Sequence, residues 1–299
     1  MPISIHHLRA GNASRWAVCH DGEWAELDGT LADLLALPLD RARAVVEAAP
    51  VDVAEREAAD REAGGSMPGE RSLPPVDRQE IWAAGVTYLR SRDGRKEESG
   101  HGALYDHVYD SDRPEIFFKA SPWRVVGDRE AVGIRVDSGW DVPEAEVGLV
   151  LNAAGDVFGY TLGNDMSSRS IEGENPLYLP QAKIYDRSCA LGPAIVPSWA
   201  VEPGPFQIGL RVLRAGCEAY AGTTSTSEMT RGFEDLAGWL FRALSFPAGV
   251  VLLTGTGVVP GADFTVRPGD TIEITSPALG TLTNPVVAVG DATGGERQP

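Results

Sequence analysis

The 299-residue sequence predicts a mainly β fold with α/β elements, preceded by a small α+β unit at the N-terminus. Three observations carry that prediction. Short apolar runs rich in Val, Ile, Thr and aromatic residues recur along the chain, bounded by Gly, Pro, Asn and Asp. No internal repeat is visible, and no alternation of strand-like with helix-like segments, so a parallel doubly wound sheet is not expected. Finally, Gly64-Gly65-Ser66-Met67-Pro68-Gly69 and Leu73-Pro74-Pro75 read as a linker that separates a first unit, residues 1–72, from a main unit, residues 76–292.

In chain order, the first unit offers strand-like Trp16 to Cys19 and Glu23 to Leu27, then an Ala-rich, acidic stretch of helical character from Leu31 to Ala63. The main unit opens on a buried strand, Glu80 to Tyr88. Arg90 to Asp112 is a polar segment dense in Arg, Asp and Glu, of a length that suits an active-site loop or a solvated helical excursion. Val147 to Asn152 and Val157 to Asn164 are two β-prone runs, and Ala153 to Asp156 between them fits a four-residue hairpin loop. Leu177 to Ser198 holds loops and a strand, Phe206 to Ala221 a pair of β runs, and Thr230 to Leu244 the spacing of one amphipathic helix. Strands are expected again at Val250 to Thr254, Phe264 to Val266, Thr271 to Ile274 and Pro285 to Val289.

Charged residues make up 23% and hydrophobic ones 43% of the chain, an ordinary globular composition. The formal net charge of −17 opposes binding to nucleic acid or to an anionic membrane. No apolar run is long enough to span a bilayer, and the first residues lack a secretory pattern. Cys19, Cys189 and Cys217 are scattered, so neither a disulfide framework nor a zinc site is expected, and a reduced, cytoplasmic setting is the default. Gly255-Thr256-Gly257 follows a strand, yet the chain has no GxGxxG and no Gly-Lys-Ser/Thr, which gives a nucleotide site little support.

The chemistry concentrates on Glu144, Glu146 and Asp165. Alternate residues of a strand share a face, so the two glutamates project together. If Ala153 to Asp156 form the loop, Asn152 faces Val157 and the ladder sets Glu144 opposite Asp165. The same register pairs Val147 with Leu162 and Leu149 with Tyr160, gathering the large apolar residues on one face. Gly148, Val150, Gly159 and Thr161 then leave the carboxylate face uncrowded. A one-residue slip would separate both sets. Solvated acids on the outside of a hairpin would be the ordinary alternative. All five histidines precede residue 108, so an oxygen-only site is the simpler expectation, for Mg²⁺, with Mn²⁺ or Ca²⁺ as alternatives.

The run from Trp140 to Val196 contains the E-x-E strand, then G-Y-T-x-x-N-D-x-S-x-R ending at Arg169, then Lys183 shortly before L-G-P-x-I-V. In this order the motifs strongly resemble the fumarylacetoacetate hydrolase superfamily, and the C-terminal LLTGTGVVPG and RPGDTIEITSPALGTLTNPV look like its closing strands. Within it, RPEIFFKASPWRVVG, SGWDVPEAEV and ENPLYLPQAKIY resemble the 2-keto-3-deoxy-D-arabinonate dehydratases. The resemblance covers about residues 75 to 290 and implies a mixed β-roll or sandwich catalytic domain behind a small N-terminal domain, a homo-oligomer, and Glu144, Glu146 and Asp165 as metal ligands. Two departures stand out. Ser91 occupies the place where hydrolase members carry a water-activating histidine, and Ser170 stands where many members have aspartate.

The activity so implied is dehydration of a 2-keto-3-deoxy sugar acid, 2-keto-3-deoxy-D-arabinonate to 2-oxoglutarate semialdehyde. A 2-keto acid chelates a hard cation, the polarised carbonyl acidifies C3, and the enolate expels the C4 hydroxyl as water. Lys183 and Glu115 are the candidates for proton transfer, with acid and base unassigned. Lys119 and Arg169 are expected to hold the substrate carboxylate or neighbouring acids, and Tyr88 and Thr256 to bond substrate hydroxyls. An acylpyruvate-type or fumarylpyruvate-type C–C hydrolase, or a keto-acid decarboxylase or isomerase, would use the same core.

Overall fold

Residues 3–11, 13–49, 71–90 and 111–290 are described by the computed structural model of the chain, and they stack in three layers around one large mixed sheet. The N-terminal segment is an antiparallel meander of β1 (Ile3–Ala10), β2 (Ala13–His20) and β3 (Glu23–Leu27), followed by helices α1 (Leu31–Leu35) and α2 (Leu39–Glu47). Thr30 starts α1 with a reciprocal cap: its hydroxyl accepts from the Asp33 N–H, and the Asp33 carboxylate accepts from the Thr30 N–H. The helical stretch expected from residue 50 to Ala63 lies outside the described residues.

The chain continues through β4 (Arg71–Leu73), β5 (Glu80–Gly85), β6 (Glu115–Ala120), β7 (Val125–Val126), β8 (Val132–Arg135), β9 (Asp141–Val142), β10 (Ala145–Leu151), β11 (Val157–Asp165) and β12 (Ser167–Ser168). Helices α3 (Arg169–Glu174) and α4 (Leu179–Lys183) precede β13 (Cys189–Pro197), β14 (Gln207–Arg214) and β15 (Cys217–Ser225). Helix α5 (Phe233–Leu240), β16 (Val250–Leu253), β17 (Thr271–Ser276) and β18 (Gly280–Val289) complete it.

The large sheet runs β3-β2-β1-β13-β11-β10-β16-β5-β6, with β4 on β1 and β7 on β13. A second sheet runs β15-β14-β17-β18-β8, and β9 pairs with β12. Val147, Leu149, Tyr160 and Leu162 of the large sheet pack against Ile208, Leu210, Ile272, Ile274 and Leu282 of the second. Its other face, with Ile81, Val150, Phe158 and Leu253, meets Leu31, Leu35 and Val46 of the N-terminal helices. The strands are therefore apolar on both faces, and the N-terminal meander joins the sheet through Ile5↔Ile195.

Three expectations change. The strand from Glu80 stops at Gly85, because Val86 takes φ of 54° and turns the chain. Phe264 to Val266 forms no strand: the Thr265 hydroxyl accepts from the Asp141 N–H and the Val266 N–H donates to the Asp141 carbonyl, so these groups tie a connection to β9. Helix α5 covers only part of Thr230 to Leu244, with Gly232 as its N-cap and Phe241 as its C-cap.

Candidate metal centre

The β10–β11 hairpin builds the centre. Its ladder pairs Val147 with Leu162 and Leu149 with Tyr160, and the Asp165 N–H donates to the Glu144 carbonyl at 3.0 Å, which is the register the apolar pattern predicts. Near the loop the prediction needs correction. Leu151, not Asn152, pairs with Val157, and Phe158 is the extra residue of a bulge, buried against the N-terminal helices. Asn152 closes the turn instead, its Oδ1 accepting from the Ala154 and Asp156 N–H groups. The carboxylate face is covered rather than open: a Cβ on Gly163 would lie 2.3 Å from Leu253 Cδ2, so glycine there admits β16.

One carboxylate oxygen from each of Glu144, Glu146 and Asp165 lies within 4.8 Å of the others, and all three residues are buried. Glu144 is held by Arg169 on one oxygen (2.8 Å) and by Lys183 Nζ on the other (2.7 Å). Lys183 also donates to Asp165 Oδ2 (2.9 Å) and to the Ser167 hydroxyl (2.6 Å). Glu146 Oε2 accepts the Gly255 N–H at 2.6 Å. Gly255 adopts φ of +88°, and a Cβ there would lie 2.1 Å from the Thr87 hydroxyl, so glycine is required for this donor to reach Glu146. Sequence reading missed Ser167 and the Gly255 amide; both lie inside recognised motifs, but a main-chain donor leaves no mark on residue type.

Glu115 opens β6 opposite Gly85, and a Cβ on Gly85 would fall 2.0 Å from its Oε2. Gly85, Phe117, Glu144, Asp165, Lys183 and Thr256 share the lining of one cavity of about 10 Å³, room for one water-sized sphere. Tyr88 is buried behind Gly257, its phenol pushed up by burial and by the Glu146 and Glu228 carboxylates. The expectation for Lys119 is revised: it is fully buried, donates to the Met166 carbonyl (3.0 Å) and the Lys183 carbonyl (2.5 Å), and forms an ion pair with Asp165 Oδ1 (2.5 Å), so its charge faces a neighbouring acid. Ser170 belongs to a hydroxyl cluster with Ser138 (2.9 Å) and also accepts the Gly139 N–H. Ser91 lies outside the described residues.

The donor set fits a hard divalent ion: three oxygens converge without imidazole or thiolate. Burial, and then the Asp165 and Glu144 charges, push the Glu146 carboxyl well above its ordinary range, a cost that a cation between them would relieve. Cys189, across the ladder from Asp165, has its thiol pushed up to about 12 by burial and offers no thiolate.

Among curated proteins the chain is 50% identical over 216 residues to a probable 2-keto-3-deoxyxylonate dehydratase of Haloferax volcanii, covering 72% of this chain and 74% of that one. It is 43% identical over 221 residues to the 2-dehydro-3-deoxy-D-arabinonate dehydratase of Saccharolobus solfataricus, with the same coverage of each chain. The solved structure of a 2-keto-3-deoxy-D-arabinonate dehydratase complexed with magnesium and 2,5-dioxopentanoate superposes with a TM-score of 0.82 at 32% identity, over 96% of this chain and 100% of that one. Residues 81–287 match the family described as fumarylacetoacetate (FAA) hydrolase C-terminal, so the chain belongs to the fumarylacetoacetate hydrolase family.

Proposed function

We propose that the protein is a metal-dependent dehydratase of a 2-keto-3-deoxy sugar acid, turning 2-keto-3-deoxy-D-arabinonate into 2-oxoglutarate semialdehyde. The observation that carries this is the convergence of Glu144, Glu146 and Asp165 in a chain 50% identical over 216 residues to a probable 2-keto-3-deoxyxylonate dehydratase. These three residues would hold Mg²⁺, the ion in the related product complex, with Mn²⁺ or Ca²⁺ as substitutes. When bound, the ion supplies Lewis-acid polarisation of the 2-keto group.

The chain's own residues do the rest. Lys183 lines the cavity and the Glu115 carboxylate lies against Gly85, which is part of that lining; the two form the proton-transfer pair, one taking the proton from C3 and the other protonating the C4 hydroxyl oxygen as it leaves. Transfer of a further proton from C5 to C3 then gives the C4–C5 enol, which tautomerises to the aldehyde, so the net change is loss of one water. Arg169 holds Glu144 in place and stands at the cavity wall, where it would meet the substrate carboxylate. Thr256 lines the cavity and Tyr88 lies near Glu146, so both serve as hydroxyl contacts. A cytoplasmic homo-oligomer completes the proposal; among the described residues no helix is long and apolar enough to cross a membrane.

Purified protein incubated with Mg²⁺ and 2-keto-3-deoxy-D-arabinonate should yield a product lighter by one water, trapped as an aldehyde. Cleavage of an acylpyruvate with the sugar acid left intact would replace this reading with C–C hydrolysis.

A further inference from the structure

The bulge in β6 is built around a lysine. Ile81 pairs with Ala120 and Trp82 with Phe118, so Lys119 is the additional residue with no partner of its own in the ladder. In a regular strand Lys119 would lie opposite Ile81, within the apolar layer that holds Ile81, Ala83 and Ala120. The extra residue lets Ala120 take that place, and the ammonium reaches instead into the carboxylate centre.

What it reaches is specific. Asp165 Oδ1 forms an ion pair with Lys119, while Asp165 Oδ2 accepts a hydrogen bond from Lys183, so each oxygen of the carboxylate faces a cation. Two Lys119 donors go to the main-chain carbonyls of Met166 and Lys183. Met166 follows Asp165 at the end of β11, and Lys183 is the last residue of α4. One buried charge thus joins three elements: the strand carrying Glu115, the strand end carrying Asp165, and the helix end carrying Lys183.

We infer that Lys119 is a positioning residue for the dehydration, one that locks the Asp165 carboxylate and the Lys183 backbone into a single unit and touches no substrate. The inference rests on the proposed function for the identity of the reaction but not for its geometry. Lysine suits the place because one compact charge faces Asp165 while two of its donors reach two separate carbonyls; the planar guanidinium fork of arginine cannot match that arrangement.

The test compares the wild type with Lys119→Met and Lys119→Arg, measuring Mg²⁺ affinity by calorimetry, melting temperature, and kcat and KM for 2-keto-3-deoxy-D-arabinonate at saturating Mg²⁺. Groups that orient metal ligands change affinity or activity by about 10–100-fold, and this is the loss expected in Mg²⁺ affinity and kcat for both variants, with KM moving less than about threefold. Asp165→Asn should weaken Mg²⁺ binding no further when combined with Lys119→Met than it does alone, since the two act through one carboxylate. A raised KM with kcat retained would make Lys119 a substrate contact and overturn the inference. So would folded variants with wild-type Mg²⁺ affinity and kcat, or additive losses in the double variant. If Lys119→Met does not fold, Lys119→Arg decides, because it keeps the charge and loses only the geometry. A wild type that binds Mg²⁺ but leaves the sugar acid untouched would sink the proposed function while the calorimetric comparison still tests Lys119.

Discussion

Glu146 sits under burial and two like charges, set against the Lys183 charge and one amide donor. Glu146→Gln keeps the shape and removes the charge, so Mg²⁺ binding followed by calorimetry should vanish together with turnover; retained activity would take the metal out of the mechanism. Gly255→Ala forces a side chain into a left-handed conformation against Thr87, and should lower stability by about 1–3 kcal/mol in urea melts while weakening Mg²⁺ binding through displacement of the amide from Glu146. Asp141 gives a pH test. Burial raises its carboxyl to about 6 from an ordinary 3.8, so the native state keeps a proton that the unfolded chain has lost between those values. Its contribution to stability is greatest below the lower value and is lost as pH rises through the upper one. Asp141→Asn should therefore stabilise the protein at pH 7, by at most about 3 kcal/mol, with the gain disappearing toward pH 4 in melting curves. The acid triad could be read from residue spacing because alternation along a strand is a fixed geometric rule. The partners of Lys119 could not, since two are carbonyls that every residue possesses.

At the scale of elements, the hairpin shows what apolar patterning can and cannot specify. Four paired positions distinguish the correct register from its slipped alternative, and the structure has that register from Ala145 to Val150. The last step, where Phe158 is displaced and Asn152 leaves the ladder, depends on side-chain hydrogen bonding in the turn, which is invisible to a count of hydrophobic residues. Asn152→Ala removes two hydrogen bonds that a fully buried side chain accepts from turn amides and should destabilise the fold by about 1–3 kcal/mol, which denaturant titration would register. Strand β6 repeats the lesson: RPEIFFKASPWRVVG marks its family kinship, yet the misfit at Lys119 emerges only when β5 is laid beside it.

At the scale of the whole molecule, an ion bound by the native centre alone should stabilise the protein by mass action, by about 2.7 kcal/mol at a hundredfold excess over its dissociation constant. The melting temperature should climb with Mg²⁺ concentration in the wild type and stay level in Glu146→Gln. The mainly β class follows from the recurring strand runs, whereas the meeting of the N-terminal meander with β13 is a contact between residues nearly two hundred positions apart that no local pattern encodes. That meeting has a practical side. Deleting the first seventy residues would strip β13 of its neighbour β1 and bare the apolar layer of Val150, Phe158 and Leu253 to solvent. A shortened protein of that kind would offer the strand next to Asp165 as a sticky margin for other chains, and self-association would be its fate rather than a minimal enzyme.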